Sequence, residues 1–287
     1  MRLLKRKAGN KEYWYLQHSF RKKGKVVTKE KYLGEKIPED IDKIKDLFKK
    51  EVKQDVYKKL EIIKKNFQVE WEKMPESARK RELEEISIAF TYNTNAIEGS
   101  TITLEETREI IQDKVAPNKS LRDVRETEAH SKVFLHMLEK KERLTRELLL
   151  KWHIEIFNET KPDIAGQYRD YLVSVGPYRA PDWQDVEKLM NELIEFVEES
   201  KKMNHVELAG SIHYRFVKIH PFGDGNGRVG RLITNYVLWY SGYPMLIIEK
   251  KGRKSYYKAL TKDEEGFVSY FIRRYLAVHK KRYLGSS

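Results

Sequence analysis

Apolar residues recur along most of this chain at three- and four-residue steps, the spacing that lines one face of an α-helix. Ile41, Ile44, Leu47, Phe48, Val52, Val56, Leu60, Ile63 and Phe67 mark a long first helix, and Pro75 ends it. A second helix starts near Glu76 and carries Leu83, Ile86, Phe90 and Ile97 until Gly99 breaks it, glycine being the usual residue just past a helix end. Thr103 and Glu106 form a capping box, so another helix opens at Leu104. Further helices are predicted over residues 121–140, 146–157, 183–200, 205–219, 226–240 and 254–280. Two stretches follow a different rule. Tyr13-Trp14-Tyr15-Leu16, Lys25-Val26-Val27 and Lys31-Tyr32-Leu33 are β-prone runs, with Arg21-Lys22-Lys23-Gly24 as a turn between them, which predicts a small basic β-hairpin. Residues 166–178 are rich in β-branched and aromatic side chains and are bounded by Gly166, Gly176 and Pro177, so they predict a second short hairpin inside the helical body. The fold class is therefore mainly α, divided into a hairpin (residues 1–36), a helical region (37–103) and a main helical body (104–287). The chain has no repeat, low-complexity tract or Gly/Ser linker.

Composition narrows the chemistry. The absence of cysteine excludes disulfides, thiolate zinc sites and a cysteine nucleophile, and fits a reducing compartment. No run approaches the ~20 apolar residues of a membrane span, and Met1-Arg2-Leu3-Leu4-Lys5-Arg6 lacks the apolar core of an export signal. A soluble cytoplasmic protein without membrane partners is expected. An excess of 57 Lys and Arg over 44 Asp and Glu gives +13, which favours nucleic acid, acidic protein surfaces or polyphosphates. Because the lysines alternate with glutamates along helical segments, most of that charge reads as solvated surface, and a 35% charged chain without cysteine also suits heat adaptation. The basic hairpin suits an edge ribbon and a nucleic-acid contact equally.

The informative run is Ile219-His220-Pro221-Phe222-Gly223-Asp224-Gly225-Asn226-Gly227-Arg228-Val229-Gly230-Arg231. An apolar helix ends at His220 and Pro221, a glycine-rich turn follows, and a new helix carrying Leu232, Ile233, Tyr236 and Val237 opens near Asn226. A glycine-rich turn entering a helix presents free backbone N–H groups and a partial positive charge, which together bind anions, phosphate first among them. Arg228 and Arg231 lie in the first turns of that helix, where cations oppose the macrodipole unless an anion sits beside them. Asp224 is a hard oxygen ligand suited to Mg²⁺, and His220, with an ordinary pKa near ~6.5, can accept a proton at neutral pH.

The run resembles the signature of the Fic family, HPFx(D/E)GNGRxxR, and His220 through Arg231 match every constrained position. The resemblance implies a Fic-type helical bundle that transfers AMP from Mg-ATP to a Ser, Thr or Tyr hydroxyl of a target protein. It implies His220 as the base that deprotonates the hydroxyl and Asp224 as the Mg²⁺ ligand. Gly225, Asn226 and Gly227 would cradle the phosphates, Arg228 and Arg231 would steady the β and γ positions, and Phe222 would pack. Upstream, Gly166-Gln167-Tyr168-Arg169 and Val173-Ser174-Val175-Gly176 look like the family's flap, with Tyr168, Arg169, Val173 and Val175 as the target-binding candidates. Ala209, His213 and Phe216 resemble the helix that precedes the signature, with His213 read as structural because it shares an apolar face. The likeness covers about residues 80–275.

A second motif concerns regulation. Thr94-Asn95-Ala96-Ile97-Glu98-Gly99 is similar to the inhibitory (S/T)xxxE(G/N) helix of the intramolecularly restrained class of the family. By that resemblance Thr94, Glu98 and Gly99 form the brake, with Glu98 opposite Arg231 in the space of the γ-phosphate. A carboxylate at a helix C-terminus wants a cation partner, and Arg231 supplies one. The partners implied are ATP, a target protein not named by the sequence, and the chain itself through self-modification, with a homodimer left open. On the same scaffold the alternatives are removal of AMP from a modified target and transfer of UMP, phosphocholine or a phosphoryl group. Outside it the alternative is a nucleic-acid-binding protein with a regulatory Fic core.

Overall fold

The computed structural model describes residues 1–22 and 25–285. Its elements run β1 (Arg2–Ala8), β2 (Lys11–Lys22), β3 (Lys25–Gly34), α1 (Ile41–Lys73), α2 (Glu76–Ile97), α3 (Leu104–Arg108), α4 (Leu121–Glu139) and α5 (Arg146–Phe157). They continue through β4 (Ser174–Val175), β5 (Tyr178–Arg179), α6 (Val186–Glu199), α7 (His205–Ile219), α8 (Asn226–Tyr240), α9 (Arg253–Leu260) and α10 (Glu264–Tyr283). The mainly helical class expected from periodicity is what the chain adopts. Its contacts separate Met1–Glu61 from Ile62–Ser287, each a compact unit.

The first unit holds an antiparallel sheet in the order β1-β2-β3 rather than the two-stranded hairpin expected. The missed strand β1 pairs Leu3 with Leu16 and Ala8 with Lys11, leaving Gly9-Asn10 as a two-residue loop with Gly9 at φ 64°. Its alternation was masked by charge. Lys5 forms an ion pair with Glu12, and Arg6 lies 2.6 Å from Glu30, so two of the cations on this edge strand meet carboxylates of β2 and β3. Leu16 and Phe48 form the small core of this unit, joined by Leu3, Leu33 and Ile44. Of the expected turn 21–24, Arg21 and Lys22 belong to β2, and Lys23 and Gly24 lie outside the described residues.

In the second unit α7 packs against α8 and α10, while α2 and α5 both pack on α4. Apolar spacing explains α7, whose Val206, Ala209, Ile212, Phe216 and Ile219 are all buried. The capping box at α3 is present: Thr103 Oγ1 accepts from the Glu106 amide at 3.1 Å, and the Glu106 carboxylate accepts from the Thr103 amide at 2.8 Å. Residues 254–280, read as one helix, form two. Asp263 caps α10 by accepting from the Gly266 amide at 2.8 Å, and a competing local bond of this kind ends one helix as it starts the next. Residues 183–200 likewise open with a 3₁₀ turn, Trp183–Asp185, before α6 begins. No helix among the described residues is long and apolar enough to cross a membrane.

The hairpin expected over 166–178 is present but short and displaced toward its C-terminus. Only Ser174↔Arg179 and Val175↔Tyr178 pair, around a Gly176-Pro177 loop with Gly176 at φ 58°. The preceding residues hold their course through a side chain instead of a ladder. Arg169 is buried, and its guanidinium donates to the carbonyls of His220 (2.8 Å), Tyr171 (2.8 Å) and Pro181 (2.6 Å). Gly166, at φ 68°, starts this segment, and a Cβ there would lie 2.0 Å from Ile154 Cγ1. Left-handed strain of ~1–2 kcal/mol and overpacking of ~1–3 kcal/mol would combine in Gly166→Ala. We expect urea denaturation to show a loss of about 2–4 kcal/mol, and an unchanged midpoint would show that Ile154 and the backbone relax freely.

Candidate active site

The site forms where α7 stops. Phe216 accepts the His220 amide, and His220 caps the helix in the left-handed region at φ 52°, ψ 59°. A non-glycine residue rarely holds that conformation, and here the Arg169 bond to the His220 carbonyl helps to fix it. The imidazole is partly buried, its Nδ1 3.3 Å from the Val217 carbonyl. With Nδ1 protonated to donate to that carbonyl, Nε2 keeps its lone pair. Burial lowers the His220 pKa below its ordinary value, so the ring is neutral at pH 7 and free to take a proton.

The loop from Pro221 to Gly225 is held from inside. Asn226 is buried, with Oδ1 accepting from the Phe222 amide at 2.9 Å and Nδ2 donating to the Phe222 carbonyl at 2.8 Å. Both ends of that side chain are thus engaged with the loop, and what remains for a ligand is its backbone. His153 on α5 stacks on Phe222 with ring centroids 3.9 Å apart. It accepts from the Gly166 amide on Nδ1 at 2.9 Å and therefore donates from Nε2 to the Asp224 carbonyl at 3.0 Å. Burial lowers the pKa of His153 to about 4, which keeps this tautomer neutral. Gly225, at φ 80°, then turns the chain into α8.

Four charged side chains gather beside this turn. Asp224 accepts the Gly225 amide on Oδ1 at 2.6 Å and the Lys161 ammonium on Oδ2 at 2.7 Å. Lys161 also reaches Glu126 of α4 at 2.8 Å, and Glu126 forms a buried ion pair with Arg228, whose guanidinium lies 4.3 Å from the centre of the Phe157 ring. Burial pushes the carboxyls of Glu126 and Asp224 up, but Arg228 and Lys161 outweigh it and hold each at about 2. Both are anions throughout the physiological range.

On the other side of α8 stands α2. Arg231 is buried and donates from Nε to the Thr94 hydroxyl, from Nη2 to the Thr94 carbonyl at 3.1 Å, and from Nη2 to Glu98 Oε1 at 2.6 Å. A Cβ on Gly227 would lie 2.1 Å from that same Oε1, so the Glu98 carboxylate rests directly against the first turn of α8. The carboxylate that Arg231 meets at the start of α8 belongs to the chain itself. Two donors stay without an acceptor in the buried site, Arg228 Nε and Arg231 Nη1. Unfilled buried donors are uncommon and suit an incoming polyanion.

His220, Asp224, Gly225, Asn226, Gly227, Arg228, Arg231, Thr94 and Glu98 therefore converge, and Gly99 follows Glu98 at φ 105°, where the chain leaves α2. The upstream candidates divide. Tyr168 and Arg169 lie at the base of the hairpin, with Arg169 inside and burial raising the Tyr168 hydroxyl to about 12. Leu172 and Val175 are exposed, Tyr171 is exposed along one side but rests its hydroxyl against Gly223 of the His220 loop, and Val173 accepts from the Ala180 amide at 3.0 Å. His213 is structural as expected, bonded to the Gly230 carbonyl (3.0 Å) and the Tyr256 hydroxyl (2.8 Å).

Sequence reasoning passed over Glu126, His153, Lys161 and Tyr257, whose hydroxyl lies 3.5 Å from Glu98 Oε2. A signal existed for the first. Glu126, Thr127, His130 and Ser131 place a polar stripe on an otherwise amphipathic α4, and all four are buried. Three of them meet α2: Ser131 bonds Ser87 at 2.9 Å, His130 bonds Thr91 at 3.2 Å, and Thr127 bonds Asn95 at 3.2 Å. The helix bearing Glu98 is thus seated on α4 partly by buried hydrogen bonds.

Residues 143–238, which include the whole His220 loop and α8 as far as Leu238, match the model of the Fic/DOC family. The chain belongs to that family. Among curated relatives, the protein named Protein adenylyltransferase Fic of Nematostella vectensis is 35% identical over 201 residues, 68% of this chain and 47% of the relative. The protein of the same name from Culex quinquefasciatus is 34% identical over 68% of this chain and 40% of its own length. The chain thus spans less than half the length of these relatives. Among solved structures, Fic-1 from C. elegans superposes with a TM-score of 0.69 at 26% identity over 83% of this chain and 72% of that one. A Fic domain containing signaling protein from Bacteroides thetaiotaomicron gives 0.67 at 25% identity over 78% of this chain and 98% of that one. The match to the Fic family model begins three residues before α5 and leaves out α2, so the contact between Glu98 and Arg231 joins the matched domain to a residue at the end of a helix outside it.

Proposed function

We propose that this Fic protein is an adenylyltransferase that moves AMP from ATP to a protein hydroxyl and is restrained by its own Glu98. The observation that carries the reading is the 2.6 Å contact between Glu98 and Arg231 at the start of α8, a carboxylate seated in an anion site. The names of the curated relatives support the reaction class. The polyphosphate would enter along the amides of Asn226 and Gly227, with Gly225 keeping its own amide on Asp224, and would fill Arg228 Nε and Arg231 Nη1. The target hydroxyl gives its proton to His220 Nε2 as its oxygen attacks the α-phosphorus, and the bond from that phosphorus to pyrophosphate breaks. The arginines stabilise the charge that develops on the departing group.

Asp224 fits a magnesium ion as one protein ligand beside phosphate oxygens, since it is ionised and partly open to solvent. Such sites need few carboxylates. Among the described residues no group of three or more His, Asp or Glu could cage a metal without substrate. When bound, the ion supplies neutralisation of phosphate charge. The target would lie along the exposed hairpin residues Tyr171, Leu172 and Val175, adding a strand at β4 or β5. Self-modification, a homodimer and a cytoplasmic setting belong to the same reading.

Labelling tests it. Protein carrying Glu98→Gly, incubated with Mg²⁺ and ATP labelled at the α-phosphorus, should retain label, and γ-labelled ATP should leave none. Retention from the γ position alone would assign phosphoryl transfer instead. Rate against pH adds a second check. Because burial lowers the His220 pKa and the neutral ring is the base, activity should persist through pH 6.5 and fall only below it. An acid limb centred above pH 7 would contradict the assignment. A second reading rests on Glu98 itself, since a carboxylate fixed at the centre can direct water onto an AMP-modified side chain. Release of AMP from pre-labelled protein, lost on Glu98→Gly, would favour it.

A further inference from the structure

Asp224 already holds a cation. Its Oδ1 is engaged by the Gly225 amide, so Oδ2 is the oxygen left for a ligand, and the Lys161 ammonium sits on it at 2.7 Å. Lys161 is nearly enclosed, at 11% side-chain exposure, and carries a second bond of 2.8 Å to Glu126. Arg228 reaches the same Oδ2 from 3.5 Å, the longer of the two contacts, so Lys161 is the cation that sits directly on it. Glu126 in turn keeps Arg228 and the Thr160 hydroxyl, the latter at 3.0 Å, so it stays partnered if Lys161 moves. Lysine suits such a role, being a compact charge on a flexible stem that can shift between two acceptors a few ångströms apart. The lysine also lines a polar cavity of ≈ 330 Å³ together with Asn95, Glu98, Glu126, Asp224 and Arg228.

We propose that Lys161 is an exchangeable counter-cation, occupying Asp224 until a divalent ion arrives with nucleotide and serving the phosphates as a cation when metal is scarce. The inference rests on the nucleotide reading above. Two consequences follow from opposite sides of the same competition. With Lys161 in place, nucleotide binds appreciably without metal, because one positive charge is already at the cavity. Metal adds less than it otherwise would, because it must first displace that charge from Oδ2. Lys161 is accordingly a positioning residue whose signature is the thermodynamic coupling between metal and nucleotide, which is reciprocal and independent of turnover.

The test is calorimetry with ADP, in EDTA and in MnCl₂, on protein carrying Glu98→Gly so that the anion site is open. Adding Lys161→Met, or Lys161→Gln should the first variant melt early, is expected to weaken ADP binding in EDTA by about tenfold while leaving binding in Mn²⁺ equal or tighter. The ratio of the two dissociation constants then rises about tenfold, and Lys161→Arg, which keeps the charge, should change it least. A ratio that is unchanged or smaller in Lys161→Met and Lys161→Gln overturns the inference and leaves the nucleotide reading standing. If the Glu98→Gly parent binds ADP under neither condition, both fall together.

Discussion

Replacing Glu98 by glycine is expected to raise incorporation of label from α-labelled ATP by about 10- to 100-fold. The estimate comes from the contact removed. A hydrogen bond between charged groups contributes ~1.5–3 kcal/mol, and ~1.4 kcal/mol is a factor of ten in an equilibrium. Glu98 lies 2.6 Å from Arg231 and crowds the Gly227 position, so under the proposed function its carboxylate would compete with a phosphate for the same donors. The helix itself should tolerate the change, because Glu98 is the cap residue beyond α2 rather than part of its interior. Arg231, at 3% side-chain exposure, loses its carboxylate and should regain an anion when nucleotide binds. Mg-ATP should therefore raise the melting temperature of the variant more than that of the wild type. Equal labelling and equal thermal shifts in the two proteins would show that Glu98 restrains nothing.

The helical body was legible because burial demands a 3.6-residue rhythm, and α5, α7 and α8 begin and end where their apolar spacing and flanking caps place them. Elements governed by single side chains were harder to read. The break at Asp263 depends on one capping bond, and β1 hides its alternation under cations that are neutralised only across the sheet. The same division applies to the site. Its backbone logic, a glycine turn entering a helix beside two arginines, is a local pattern and can be read along the chain. Glu126 and Lys161 reach it from elsewhere, Glu126 from 102 residues before Arg228 and Lys161 from 63 before Asp224. No periodicity reports such a meeting. The same holds for Arg169, whose importance lies in carbonyls from three separate stretches of chain that it draws together.

His220→Ala should lower transfer by about 10²- to 10⁴-fold, the range that a positioned general base contributes. Folding and nucleotide binding should survive, because what anchors the loop is the His220 backbone carbonyl, held by Arg169, and the Asn226 clamp on Phe222. One cost is expected. Alanine tolerates the left-handed conformation at φ 52° no better than histidine, so ~1–2 kcal/mol of strain remains and stability should change little. The informative comparison is His220→Ala on a background of Glu98→Gly, which separates the base from the brake. ADP should bind both proteins alike while only the one with His220 transfers label. Loss of ADP binding along with transfer would mean that the imidazole shapes the anion site rather than moving a proton. Undiminished transfer would remove His220 from the reaction altogether, and the hydroxyl would then have to be deprotonated by solvent or by the phosphate itself.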